Sequence, residues 1–245
     1  MEVVDIVVGM KEKEIILEIK GVSKNYGRTA AVRAVEMKIG AGDIYALIGP
    51  NGSGKTTLMK MIVGLLRIDK GEISILGNQI TGEAIEAKKL IGYVPDKPEG
   101  YGYLSGKELL YLTGRLKGMR EAEVRVRVEQ LMKLFDIEKI LEGRMDGYSR
   151  GNLQKTAFLA ALLGEPKLLI IDEPIVGLDP VSIRVFGERL VKFAKDGGAV
   201  LFATHTLDFA SKYANRVGVM SEGKIVAEEK LSNKIKIEKV YEKAL

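Results

Sequence analysis

Apolar residues follow two kinds of spacing along this chain, and the switches between them divide it. Residues 14–20 are rich in β-branched side chains and stop at Gly21, which predicts a strand. Residues 34–39 alternate loosely and predict a second. Residues 44–48 are apolar without interruption and end at Gly49, the pattern of a strand buried on both faces in a parallel sheet. An apolar helix then begins at Thr57 and closes at Gly64. Ile91-Gly92-Tyr93-Val94 ends at Pro95 as a further strand. From Ser105 to Leu163 the period becomes helical: Val124, Val128, Leu131 and Phe135 form one stripe of an amphipathic helix. Strand character returns at 168–171, 199–203 and 216–220. From Leu231 the chain is rich in Lys and Glu and is expected to be a helix or a loose tail. The layout is an α/β sheet, a helical insert, then α/β sheet again.

At 245 residues the chain suits one large domain, or one domain with an inserted subdomain. No apolar run approaches the roughly 18 residues of a membrane span. The chain opens Met1-Glu2-Val3-Val4-Asp5, with acid where a signal peptide carries basic residues. A cytosolic protein is expected, unless a partner holds it at a membrane. The absence of cysteine excludes disulfides, thiolate metal sites and thiol nucleophiles. The net charge of +5 is spread among nearly as many acids, which describes a solvated surface, and no nucleic-acid partner is expected.

Gly49-Pro50-Asn51-Gly52-Ser53-Gly54-Lys55-Thr56 fits the phosphate-loop pattern in full, between a predicted strand and a predicted helix. Glycines let backbone N–H groups converge on phosphate oxygens, and the helix that begins at Thr57 presents its positive end to the same anion. Lys55 can neutralise the β- and γ-phosphates, and the Thr56 hydroxyl suits Mg²⁺, a hard ion preferring oxygen. The site is expected to bind a nucleotide with Mg²⁺, and the resemblance drawn below makes that nucleotide ATP.

The strand at 168–171 runs into Asp172-Glu173-Pro174. By themselves two acids at a strand end could simply face solvent. With the phosphate loop upstream, Asp172 can hold Mg²⁺ through its water shell and Glu173 can polarise the attacking water.

In this order the motifs resemble the ABC ATPase family, from about Glu14 to Ala227. The resemblance implies a P-loop ATPase core with a mostly parallel sheet, an antiparallel β subdomain and an inserted helical subdomain at about 97–165. A C-terminal tail at 228–245 would follow the ATPase domain at 14–227. Tyr26 falls where the family stacks an aromatic ring on adenine. Tyr148-Ser149-Arg150-Gly151-Asn152 is similar to the signature Leu-Ser-Gly-Gly-Gln in its Ser and second Gly. In the family those residues reach the ATP held by a second subunit; without its neighbours Ser149 would be read as a helix cap. Asp179, in Gly177-Leu178-Asp179-Pro180, sits as the family's D-loop aspartate does and would link the two sites. His205, the single histidine, resembles the switch residue that contacts the γ-phosphate.

Three departures accompany the resemblance. Asp96 stands where Gln is usual, and a carboxylate there can still reach Mg²⁺ or water. Arg150 and Asn152 replace Gly and Gln of the signature. Ile175-Val176 precedes the D-loop in place of Thr-Ser or Thr-Asn. Asp96 and a basic residue at 150 resemble a subgroup of exporter ATPases whose membrane subunit is a separate chain. The resemblance therefore implies two ATPase subunits head to tail, docked on a multi-pass permease at the cytoplasmic face of the membrane. The segment near Pro98 to Leu112 would carry motion to that permease. A soluble ABC ATPase serving iron–sulfur assembly or another non-transport role, and a nucleotide-gated module without turnover, are the alternatives; an intact Glu173 and His205 argue against the second.

Overall fold

A computed structural model describes residues 13–99, 101–231 and 236–244. The acidic N-terminal residues, and residues 232–235 and 245 of the expected tail, lie outside the described residues.

Two sheets carry the fold. Strands β1 (Ile15–Tyr26), β2 (Thr29–Gly40), β4 (Lys70–Ile75) and β5 (Asn78–Gln79) form an antiparallel sheet in the order β2-β1-β4-β5. The second sheet contains β3 (Ile44–Ile48), β6 (Ile91–Val94), β7 (Leu168–Asp172), β8 (Ala199–Thr204), β9 (Arg216–Ser221) and β10 (Lys224–Lys230). Its order is β10-β9-β3-β8-β7-β6, parallel throughout except for the β9–β10 hairpin at one edge.

The uninterrupted apolar run of β3 has a physical cause. Tyr45 and Leu47 face one core, while Ile44, Ala46 and Ile48 face another. β7 and β8 divide in the same way, with Leu168 and Ile170 on the first side and Leu169 and Ile171 on the second. The first core joins this sheet to the antiparallel sheet through helix α1 (Lys55–Ile62), whose Leu58, Met59, Met61 and Ile62 are buried. Each such side chain contributes about 1.5–3 kcal/mol of burial energy.

The second core is covered by helices. Between β6 and β7 lie α3 (Gly106–Leu116), α4 (Glu121–Met132), α5 (Glu138–Leu141) and α6 (Arg150–Leu162). The stripe of Val124, Val128 and Leu131 is buried, with Phe135 packed beside it. Helices α7 (Pro180–Lys195), α8 (Leu207–Tyr213) and α9 (Ile237–Ala244) complete that face, and the short α2 (Ile85–Lys89) lies before β6.

Several elements differ from expectation. β1 does not stop at Gly21 but bulges there, with Gly21 at φ +57°, and continues to Tyr26. α1 begins at Lys55 rather than Thr57, because the left-handed Gly54 turns the chain directly into the helix. The expected boundary at 228 falls inside β10, which pairs with β9 as far as Lys230. Of the two forms expected for the chain end, residues 237–244 take the helical one, which buries Ile237 and Val240.

Candidate nucleotide site

The phosphate loop links the end of β3 to the start of α1. A side chain at Gly49 would place Cβ 2.1 Å from the Met220 carbonyl oxygen. At Gly54, with φ +108°, it would lie 2.3 Å from the Ala31 carbonyl oxygen. Glycine is required at both positions, by space at the first and by space and backbone angle at the second. Ala31 belongs to β2, so the antiparallel sheet presses the loop against the central sheet.

Lys55 folds back over this loop. Its ammonium donates to the Gly49 carbonyl at 2.8 Å and to the Pro50 carbonyl at 2.9 Å. An ammonium has three protons, so one remains for an anion. Burial pulls the Lys55 pKa down, and the charges of Glu173 and Asp172 oppose that fall.

A pocket of about 230 Å³ opens here, lined by Ala31, Asn51, Gly52, Gly54, Lys55, Thr56, Thr57, Asp96, Asp172 and Glu173. A larger hollow of about 660 Å³ lies between Met119, Arg127 and Glu165, but neither the phosphate loop nor Asp172 and Glu173 line it. Chemistry rather than volume selects the smaller one.

Asp172 ends β7 at 2% exposure. Burial pushes its pKa up, and nearby Asp96 and Glu173 add to the rise; the Thr56 hydroxyl and Lys55 work against it. Its Oδ2 has no hydrogen-bond partner among the described residues. An orphaned carboxylate oxygen beside the Thr56 hydroxyl is a donor set of hard oxygens, which fits Mg²⁺ completed by phosphate and water. Behind it, burial followed by the charges of Asp172 and Asp96 pushes Tyr93 up to about 12.

Glu173 leaves the strand in the left-handed region, at φ +52°, a conformation that costs a non-glycine residue about 1–2 kcal/mol. The turn is held from several sides. Its N–H donates to the Ala203 carbonyl at 2.9 Å, and its carbonyl accepts from the fully buried Gln154 at 3.5 Å. The carboxylate accepts the Thr204 hydroxyl at 3.2 Å and meets His205 Nδ1 at 2.8 Å. A carboxylate only accepts, so Nδ1 carries the proton in this contact.

The other expected residues stand apart from this pocket. Tyr26 is exposed at the β1–β2 turn, on the same hairpin as Ala31. Ser149 caps α6 by accepting from the Asn152 N–H at 3.2 Å, and none of Ser149, Arg150, Gly151 and Asn152 lines the pocket of their own chain. Arg150 instead contacts Asp96, Nη2 to Oδ1 at 3.3 Å. Asp179 caps α7, accepting from the Ser182 N–H at 2.8 Å and hydroxyl at 2.6 Å, which holds its carboxyl well below the usual range.

Thr204, Gln154 and Ala31 were not among the sequence candidates. Only Thr204 left a trace there, as a polar residue closing the otherwise apolar run of β8.

A family profile described as "ABC transporter" matches residues 32–176. An uncharacterised ABC transporter ATP-binding protein of Bacillus subtilis is 36% identical over 219 residues, 89% of this chain and 70% of that protein. The Nod factor export ATP-binding protein I of Rhizobium etli is 32% identical over 86% of this chain and 67% of its own length. A solved ATP-binding cassette, described as a dimer in a post-hydrolysis state bound to ADP and Pi, superposes with a TM-score of 0.82 at 25% identity, covering 89% of this chain and all of that one.

Proposed function

This chain belongs to the ABC transporter family as an ATP-binding, ATP-hydrolysing subunit, and we propose that it drives export through a separate membrane permease. One observation carries the mechanism: phosphate loop, buried carboxylate and candidate base share one pocket, while residues 149–152 lie outside it. Such a site is incomplete alone. A second subunit facing it head to tail would bring Ser149 to Asn152 over the ATP, as the dimeric relative supports.

In this reading the loop N–H groups and Lys55 bind the β- and γ-phosphates. Thr56, Asp172 and Asp96 would hold Mg²⁺, which supplies charge neutralisation on the phosphate oxygens. Glu173 accepts the proton of the attacking water, and His205 and Thr204 orient its carboxylate. Tyr26 stacks on adenine, and Asp179 joins the two sites. Hydrolysis lets the dimer open, and the segment near Pro98 to Leu112 passes that motion to the permease. Among the described residues no helix is long and apolar enough to cross a membrane, and in this reading the channel is supplied by the permease. The protein then sits on the cytoplasmic face of the membrane. Export follows from Asp96 and Arg150, and from the Nod factor export relative.

The test is purification of the tagged chain from gently solubilised native membranes. A multi-pass membrane protein in stoichiometric amount is expected. Recovery with soluble proteins alone would overturn the transport assignment and leave the ATP chemistry in place.

A further inference from the structure

Two of the departures from the family pattern, Asp96 and Arg150, touch each other. Arg150 Nη2 lies 3.3 Å from Asp96 Oδ1 and 3.5 Å from the Asp96 carbonyl oxygen. The stem of Arg150 also lies along Gly177, where an added Cβ would sit 3.2–3.4 Å from three of its carbons. One side chain thus ties the start of α6 to the loop after β6 and to the loop before α7. The Gln and Gly usual at positions 96 and 150 could form no such ion pair.

Charge explains why the pair is useful. Asp96, Asp172 and Glu173 all line a pocket in which Lys55 is the only cation among the described residues. Arg150 supplies a second positive charge from just outside. While it holds Asp96, neither residue is free for the role proposed above, Asp96 toward Mg²⁺ and Arg150 toward the ATP of the other subunit.

We propose that Arg150 and Asp96 form an intrasubunit latch that holds the start of α6 against the core before ATP is sandwiched, and that closure of the dimer breaks it. The release half of this proposal rests on the function proposed above; the latch itself does not. Both side chains are half exposed, so the pair shifts the local equilibrium by only about fivefold, weak enough for nucleotide binding to overcome.

The test is a double-mutant cycle in the full chain with Asp96→Asn, Arg150→Gln and both together. Hydrogen exchange of peptides covering the start of α6 is read without nucleotide, then with Mg²⁺ and ATP in a Glu173→Gln background. Without nucleotide, each single substitution is expected to speed exchange about fivefold, and the double to add nothing further. With ATP the coupling is expected to vanish. Additive effects, or unchanged exchange, in the nucleotide-free chain would overturn the latch. Coupling of equal size with ATP bound would overturn its release. If the unsubstituted chain bound no ATP, the proposed function and the release would fall together, and the nucleotide-free arm would still decide the latch.

Discussion

His205 Nδ1 lies 2.8 Å from Glu173 Oε1, so the first residue after β8 and the first after β7 meet across adjacent parallel strands. The β7–β8 register sets this contact. Asp172 pairs with Ala203, and the next residues along, Glu173, Thr204 and His205, converge at the same sheet edge. Chemistry placed at the carboxyl ends of parallel strands is well supported, because the buried strands hold the loops that follow them in a fixed register.

Glu173→Gln keeps the shape and removes the proposed base. ATP turnover is expected to fall at least about 100-fold while nucleotide affinity is retained. Steady-state hydrolysis and equilibrium binding measured on the same sample separate the two effects. Hydrolysis at the unsubstituted rate would remove Glu173 from the proposed role.

Thr204→Val deletes the hydroxyl that donates to Glu173 and accepts the Thr206 N–H at 3.0 Å. A half-buried N–H loses its partner, at a cost of about 1 kcal/mol in stability. Turnover should drop severalfold with little change in the Kd for ATP, as read by a melting curve and by kcat. Unchanged kcat would show that the carboxylate needs no support from this side.

Lys55→Ala removes the cation over the phosphate loop. Loss of charge-assisted contacts to phosphate is expected to weaken ATP binding by on the order of 100-fold, in a chain that still folds. Titration calorimetry checks it, and normal affinity would exclude the loop as the phosphate site.

Asp172→Asn is expected to stabilise the nucleotide-free protein while weakening its Mg²⁺-dependent ATP binding. The folded-state pKa of Asp172 is raised above the ordinary 3.8, mainly by burial. A group raised in this way contributes its full stability below the unfolded value and loses it as pH rises through the folded value. The gain from Asn should therefore be greatest near neutral pH and fade toward pH 4. A gain of about 1 kcal/mol would raise Tm by about 2–4 °C. A lower Tm at pH 7 without nucleotide would contradict the assigned burial penalty.

Gly151→Ala places Cβ 2.4 Å from the Gly177 carbonyl oxygen. The clash is with backbone, so the first turn of α6 must shift away from the loop that carries Asp179. Turnover should fall more steeply than ATP affinity of the isolated chain, since Gly151 does not line that chain's pocket.

Local chemistry was legible in the sequence wherever it is carried by neighbouring residues. The phosphate loop is one continuous turn, and its pattern is written in neighbouring residues, with Gly49 and Gly54 where backbone leaves no room for a side chain. The doubly buried strands β3, β7 and β8 were visible as unbroken apolar runs, and the α4 stripe as a helical period. The exposed, lysine- and glutamate-rich β10, with alternation too shallow to stand out, showed itself only once β9 was present to pair with it. α7 was likewise unmarked until Asp179 was seen capping it.

What tertiary structure alone decided is which distant residues share a space. Gln154 and Glu173, Thr204 and Glu173, and Arg150 and Asp96 are separated by 19, 31 and 54 positions and belong to different elements. Spacing along a chain encodes contacts within a helix or strand, where the geometry repeats. Contacts between elements depend on how two cores pack on opposite faces of one sheet, and no local period records that.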